Sequence, residues 1–438
     1  MNIFRKACAA VLTAAVLLSC GCGSSPAISS VKGTGSVQKN PQNSTANGAA
    51  FSVPQNSFSV DDDSEITYFG NQDISAAAEL FAKNNGGTVV AEKPSGDYIN
   101  KLSEKIFADN SPDLCDKVDN TYPYLISINM YEDLTNYIDI TAPQWEDITG
   151  EINFYSVRDA RYFYPTKLKV MPQFLIYLKN DFVACGNIPD PEKLWLRGEW
   201  TLTAFLEGAD GIIESSVSTA DTLMRGDHII DNFMASAGSW LNWYQDNYYE
   251  QPYAERTFNI LTSRAINHTR VTNAADDTRK FVFLSGDEST LAQLRKAGLT
   301  VGIVPYPRYD KFAYDDESYY CRAASEGFLV PKGAKNIQSA ASFINCSRLS
   351  AMSAEQKKDD DQKLVESGLL RSDVEWLNTL RSSDKMTPVC VDLDCFDENT
   401  NKAVHALFTD GDGTWEDAVA SYSPIIDSAV EKINAVVE

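Results

Sequence analysis

Leu299-Thr300-Val301-Gly302-Ile303-Val304-Pro305-Tyr306-Pro307-Arg308 reads as a short apolar strand that contains a glycine and stops at two prolines. Proline has no backbone N–H to give to a sheet ladder, so the run is bounded like a buried strand that leaves its sheet at an edge. Strands and helices alternate ahead of it, and the remainder of the chain to Glu438 follows. Its position makes it the expected point at which the chain returns to a first lobe, and a returning strand is a hinge.

At 438 residues the chain exceeds the roughly 250–300 at which single hydrophobic cores stop growing, so two lobes are expected. The formal charge of −23 argues against nucleic acid and against electrostatic docking on anionic lipid, both of which need a basic face. The acidic runs Asp61 to Asp63 and Asp359 to Asp361 read as solvated surface.

The first residues form a targeting segment: Arg5 and Lys6, an apolar run from Ala9 to Leu18, then Leu17-Leu18-Ser19-Cys20. This resembles a bacterial lipoprotein signal whose cysteine takes the lipid, with Cys20 as the attachment site. The apolar run is too short to span a bilayer. Loss of residues 1–19 removes two positive charges and takes the net charge to −25. From Cys20 to about residue 60 the composition is Ser, Gly, Asn, Gln, Thr and Ala, which buries too little surface to offset chain entropy. That segment is expected to be a flexible tether with a reach on the order of 35 Å.

Order is expected from Ile66-Thr67-Tyr68-Phe69-Gly70 onward. A helix capped by Ser75 and ended by Asn84-Asn85-Gly86-Gly87 follows, then a strand at Thr88–Ala91, a helix capped by Asp97, and a strand at Pro112-Asp113-Leu114. This alternation predicts a parallel sheet with right-handed crossovers. Val170 to Tyr177 reads as one long strand, Phe281 to Gly286 as another, and Asn232 to Ala237 as a helix stopped by Gly238. Ser372-Asp373-Val374-Glu375 and Thr414 with Asp417 read as helix starts, and Ser423-Pro424 as a restart of the last helix.

Catalytic motifs are scarce. His228, His268 and His405 form no H-E-x-x-H, and there is no G-x-S-x-G, P-loop or dinucleotide fingerprint. Asp410-Gly411-Asp412-Gly413 places its glycine too early for a calcium loop and reads as a turn, and Asp392, Asp394 and Asp397 match no metal spacing. The scattered cysteines read as buried free thiols ahead of a disulfide, though Cys390 and Cys395 are near enough to bridge if the segment bends. Aromatics crowd Trp240 to Tyr249, and rings with polar edges suit sugars.

The order of these landmarks resembles extracellular solute-binding proteins of ABC importers, family 1, the sugar-type, maltose-binding-protein-like group. The resemblance covers Ser64 to the C-terminus. It implies an α/β, two-lobed periplasmic-binding-protein type II fold, with parallel-rich sheets flanked by helices and a hinged cleft. The implied division is a signal at 1–19, a tether at 20–60, a first lobe at 61–170 plus 299–348, and a second at 171–298 plus 349–438. Ligand contacts then fall on Phe69, Gly70, Asn71, Lys117, Asn120, Thr121, Pro172, Gln173, Asp227, His228, Ser285, Gly286, Glu288, Phe396 and Asp397. The expected partners are a small polar solute, most readily a carbohydrate, and ABC permease subunits. No cofactor, metal or nucleic acid is implied, and the lipid anchor would hold a monomer on the extracytoplasmic face. The family's Tyr-Asn-Lys-Asp is Tyr177-Leu178-Lys179-Asn180-Asp181 here, and Asp287-Glu288 replaces an aromatic after the glycine turn. A surface adhesin or scaffold predicts a flat protein-binding patch instead, and a hydrolase predicts turnover.

Overall fold

Near-continuous apolar runs suit strands buried on both faces, and the chain places such runs in two mixed sheets. The computed structural model describes residues 65–157, 159–215, 220, 222–238, 253–269, 281–310, 318–390, 393–409 and 413–437, all within the unit Lys39–Glu438. The strands are β1 (Glu65–Phe69), β2 (Thr88–Glu92), β3 (Leu114–Asp116), β4 (Ser156–Val157), β5 (Ala160–Arg161), β6 (Tyr164–Val170), β7 (Phe174–Leu178), β8 (Thr222–Gly226), β9 (Ile266–Asn267), β10 (Phe281–Gly286), β11 (Val301–Val304), β12 (Tyr319–Leu329) and β13 (Met386–Cys390). The first sheet runs β13-β12-β3-β1-β2, with β6 also paired to β12, and the second runs β11-β7-β10-β8-β9; β4 and β5 form a separate hairpin.

In the first sheet β1 lies parallel to both β2 and β3. Parallel neighbours need crossovers, and the helices Ser75–Asn85 and Tyr98–Phe107 supply them. The first buries Ala77 and Phe81, and Phe81 meets Phe343 edge-on at 5.8 Å. It ends at Gly86 in the left-handed region, φ 68°, as expected. Asp97 caps the second through the Asn100 N–H. Ser75 does not cap its helix: the cap position is Ile74, and Ser75 donates its N–H and hydroxyl to Asp73. Both sheets mix parallel and antiparallel pairs, the parallel ones being β2-β1-β3, β12-β13 and β10-β8-β9.

The run Val170 to Tyr177 is two strands and not one. β6 ends in the first sheet at Val170, β7 begins in the second at Phe174, and Met171 between them has φ 53°. Pro172 lacks an N–H for either ladder, so the sheet breaks there and the chain crosses over. β11 forms with all four residues buried, antiparallel to β7 with Gly302 opposite Tyr177. Glycine is required at 302 because the Tyr177 ring occupies the space a Cβ would need. This departs from the expected placement of 299–348 in the first lobe. β11 belongs to the second sheet, and the chain returns only after Pro305, with β12 in the first. Likewise β13, expected in the second lobe, pairs parallel to β12 in the first sheet.

The final helix, Trp415–Val437, runs through Pro424 without restarting. A proline inside a helix removes one hydrogen bond, and burial of Ile426, Ala429, Val430 and Ile433 supports the element past it. Thr414 and Asp417 bond each other reciprocally at its start, as expected. The helix Arg371–Arg381 starts earlier than the Ser372 motif suggests, with Asp373 accepting the Leu370 N–H. Cys115, Cys321 and Cys346 are buried free thiols, and burial pushes the Cys321 and Cys346 thiols up to about 12. Among the described residues, no helix is long and apolar enough to cross a membrane.

Candidate functional site

Parallel α/β sheets present their loops at the carboxyl ends of the strands, so the expected contacts are traced from those ends. After β1 and β3 the organiser is Asp116, which sequence reading did not single out. Its Oδ1 accepts from Tyr68 Oη at 2.6 Å and Gln72 Nε2 at 2.8 Å, and its Oδ2 accepts the Asn71 N–H at 2.6 Å. Gly70 is needed there because a Cβ would collide with the Tyr68 hydroxyl and the Asp116 carboxyl. Phe69 is buried against Tyr98, with Lys105 over its ring, so it faces the interior. Lys117 lies over Tyr155 at 5.2 Å. Thr121 is buried, and its hydroxyl accepts the Val118 N–H.

A second cluster forms around Asp394. Asn120, left-handed at φ 57°, donates its N–H to the Asp394 carbonyl at 2.5 Å. His405 Nε2 lies 3.0 Å from Asp394 Oδ1. The hydrogen bond to His405, aided by the nearby charges of His405, His228 and Arg322, holds the Asp394 carboxyl below its usual range. Reciprocally, the bond to Asp394 raises the His405 imidazole, with burial pulling the other way. His228 Nδ1 lies 3.1 Å from Asp231 Oδ2, and Arg322 donates to Gln173 Oε1 at 2.9 Å. Asn120 is thereby joined directly to Asp394, while His228 and Arg322, the partner of Gln173, act on its carboxyl through their charge. A cavity of about 530 Å³ opens between the loop after β3 and the Glu398–Thr409 helix, lined by Asp119, Asn120, Asp394, Glu398, Lys402 and His405 among others. Among the described residues, the buried Asn120 Oδ1 and Asp231 Oδ1 meet no hydrogen-bond donor.

The remaining expected contacts have structural partners. Ser285 is buried, donates to the Asp227 carbonyl at 2.9 Å and accepts from Tyr306 Oη at 2.8 Å. Gly286 sits opposite Phe174 in the β10–β7 register. Glu288 is engaged by Arg381 at 2.5 Å and Lys169 at 2.9 Å. Burial opposes its ionisation, but those two cations outweigh it and keep the carboxyl below the usual range. Pro172 lies in the crossing. Phe396 is fully buried, and Asp397 accepts from the Asn399 and Thr400 N–H groups and the Thr400 hydroxyl at the start of the Glu398–Thr409 helix. Cys20 and the Trp240 to Tyr249 aromatics lie outside the described residues. Among the described residues, no His, Cys, Asp and Glu group is arranged to hold a metal.

The model of the bacterial extracellular solute-binding protein family matches residues 76–362. The chain belongs to that family, which places it outside the cytoplasm and favours solute capture over a scaffold role. A comparison with curated proteins gives no match. Among solved structures, the chain is similar to the ABC substrate-binding protein Lmo0181 from Listeria monocytogenes in complex with cycloalternan, with 15% identity, 85% of this chain and 100% of that one covered, and a TM-score of 0.56. It is also similar to the GacH receptor of Streptomyces glaucescens, solved with acarbose, at 15% identity, 84% and 98% coverage and TM-score 0.52. An ABC transporter solute-binding protein from Thermotoga lettingae, bound with alpha-D-tagatose, gives 14%, 85%, 100% and 0.52. At these identities the likeness establishes the fold, the two-lobed α/β fold of periplasmic binding proteins.

Proposed function

We propose that the protein captures a carbohydrate at the Asp394–His405 cavity and delivers it to the permease of an ABC importer. The observation that carries this reading is the joining of Asn120 and His405 to Asp394, beside a cavity of about 530 Å³ that all three help to line. That volume falls in the range of small-molecule sites. The bound cycloalternan, acarbose and tagatose of similar folds support a sugar over other polar solutes. A wall of Asp119, Asn120, Asp394 and Glu398 is rich in hydrogen-bond acceptors, and sugar hydroxyls are donors. Two lobes built on the two sheets would close over the solute, and Phe69, Gly70, Thr121, Ser285, Gly286, Phe396 and Asp397 would shape the walls without touching it. The solute would be released unchanged. Cys20 would carry the lipid that holds the chain on the membrane as a monomer.

A thermal-shift panel of mono- and oligosaccharides, amino acids, peptides and polyamines tests the substrate class, because a ligand held by the folded state alone raises the melting temperature. Stabilisation by a saccharide, recovered intact, is the expected result; stabilisation by a peptide or polyamine alone would refute the class. Cys20→Ala should leave the protein unprocessed or released, and unchanged membrane retention would refute the anchor.

A further inference from the structure

The crossing from β6 to β7 is gripped from both sides. Arg381 donates Nε to the Val170 carbonyl at 2.9 Å and Nη2 to the Met171 carbonyl at 3.2 Å, while Met171 gives its own N–H to the Arg322 carbonyl at 2.9 Å. The helix that carries Arg381 is tied to the second sheet's side by Asp373 to Arg295, at 2.6 and 2.9 Å, and by Trp376 Nε1 to the Ile303 carbonyl at 2.8 Å. Glu288 opens the helix after β10 and accepts from Arg381 with one oxygen. With the other it accepts from Lys169, which lies on β6 in the first sheet. One buried carboxylate therefore joins the two sheets and the strand between them, at a point where Met171 is held in a left-handed conformation that only surrounding contacts sustain.

We infer that Glu288 is a positioning residue for solute capture. With Lys169 and Arg381 it fixes the hinge angle, and it sets affinity without touching the solute. The inference rests on the two-lobe reading above. A group that acts through the hinge changes the balance of open and closed states, so its removal alters the affinity of every solute by one factor. A group that touches solute discriminates among them.

The test uses the ligand-free protein first. Spin labels at Lys83→Cys on the first lobe and Glu207→Cys on the second, with half-buried Cys185 changed to Ser, report the inter-lobe distance. The parent should give one narrow distribution, Glu288→Gln and Lys169→Met a broadened or shifted one, and Lys169→Arg a return toward the parent. Unchanged distributions in both variants would overturn the inference. If Glu288→Gln does not fold, Lys169→Met still decides, because it removes only the partly exposed cross-sheet partner. Titration of Lys169→Met with the saccharides found in the panel should shift every Kd by a common factor on the order of tenfold. Factors that differ from sugar to sugar would make Glu288 a solute contact and overturn it. Failure of every saccharide to bind the parent would remove the carbohydrate reading, while the spin-label result still decides the hinge.

Discussion

Asp116 and Asp394 each organise a turn beyond a strand of the first sheet, and each anchors an asparagine backbone N–H, Asn71 through the Asp116 carboxylate and Asn120 through the Asp394 carbonyl. Their surroundings differ. Asp116 is buried and accepts three donors from its own neighbourhood. The Asp394 side chain remains 40% exposed beside a cavity, with His405 Nε2 at 3.0 Å. An acceptor surrounded by its own chain shapes a loop, whereas one left beside a cavity with partial hydration is available to a solute. Residue type does not separate the two cases; exposure does.

The largest expected effect is at Asp116. Asp116→Ala strands a tyrosine hydroxyl, an amide and a backbone N–H at a buried point, and should cost on the order of 3 kcal/mol or more of folding stability. Urea unfolding measures it. A loss below about 1 kcal/mol would mean that water replaces the carboxylate, and the comparison would lose its buried arm. At Asp394 the order reverses. Asp394→Asn should change stability by no more than about 1 kcal/mol, because the pair is substantially exposed. Saccharide affinity should fall roughly 5- to 150-fold, the equivalent of about 1–3 kcal/mol for a hydrogen bond lost to the ligand. Calorimetric titration checks this, and an unchanged Kd would take the cavity out of the binding site.

Much of the fold was legible because its signals are local. Gly86 ends a helix, Asp97 starts one, and Val301–Val304 is a strand, each fixed by residues within a few positions. What failed was pairing. Val170 to Tyr177 has one apolar pattern across two sheets, and only the left-handed Met171 with Pro172 marks the break. Val301–Val304 reads correctly as a strand, yet its sheet depends on Tyr177 more than a hundred residues earlier. Of the proposed site, the resemblance named Asn120, whereas Asp394 and His405, eleven residues apart, carry no spacing motif. Glu288 was named through the resemblance at the glycine turn, and the two cations that engage it come from elsewhere in the chain.

The smallest expected effect is the pH dependence of the Asp394–His405 pair. His405 is raised from 6.5 in the fold, so its contribution is complete below that value and is lost as pH rises through its folded pKa. Asp394 is lowered from 3.8, so its contribution is present above that value and is lost as pH falls through its folded pKa. The pair therefore supports the fold most between those limits. The nearby His268 is lowered, by burial first and then by the charge of His405, so it favours the fold as pH rises through 6.5 and partly masks the loss. The parent and His405→Gln must be compared for that reason, since the variant removes the pair while keeping His268. Above pH 6.5 the parent should lose up to about 1 kcal/mol relative to the variant, a ceiling set by the exposure of both side chains. Melting curves across that range read the difference. Parallel curves would show that Asp394 and His405 are not coupled in solution, and the cavity would then lose the ion pair argued for its wall.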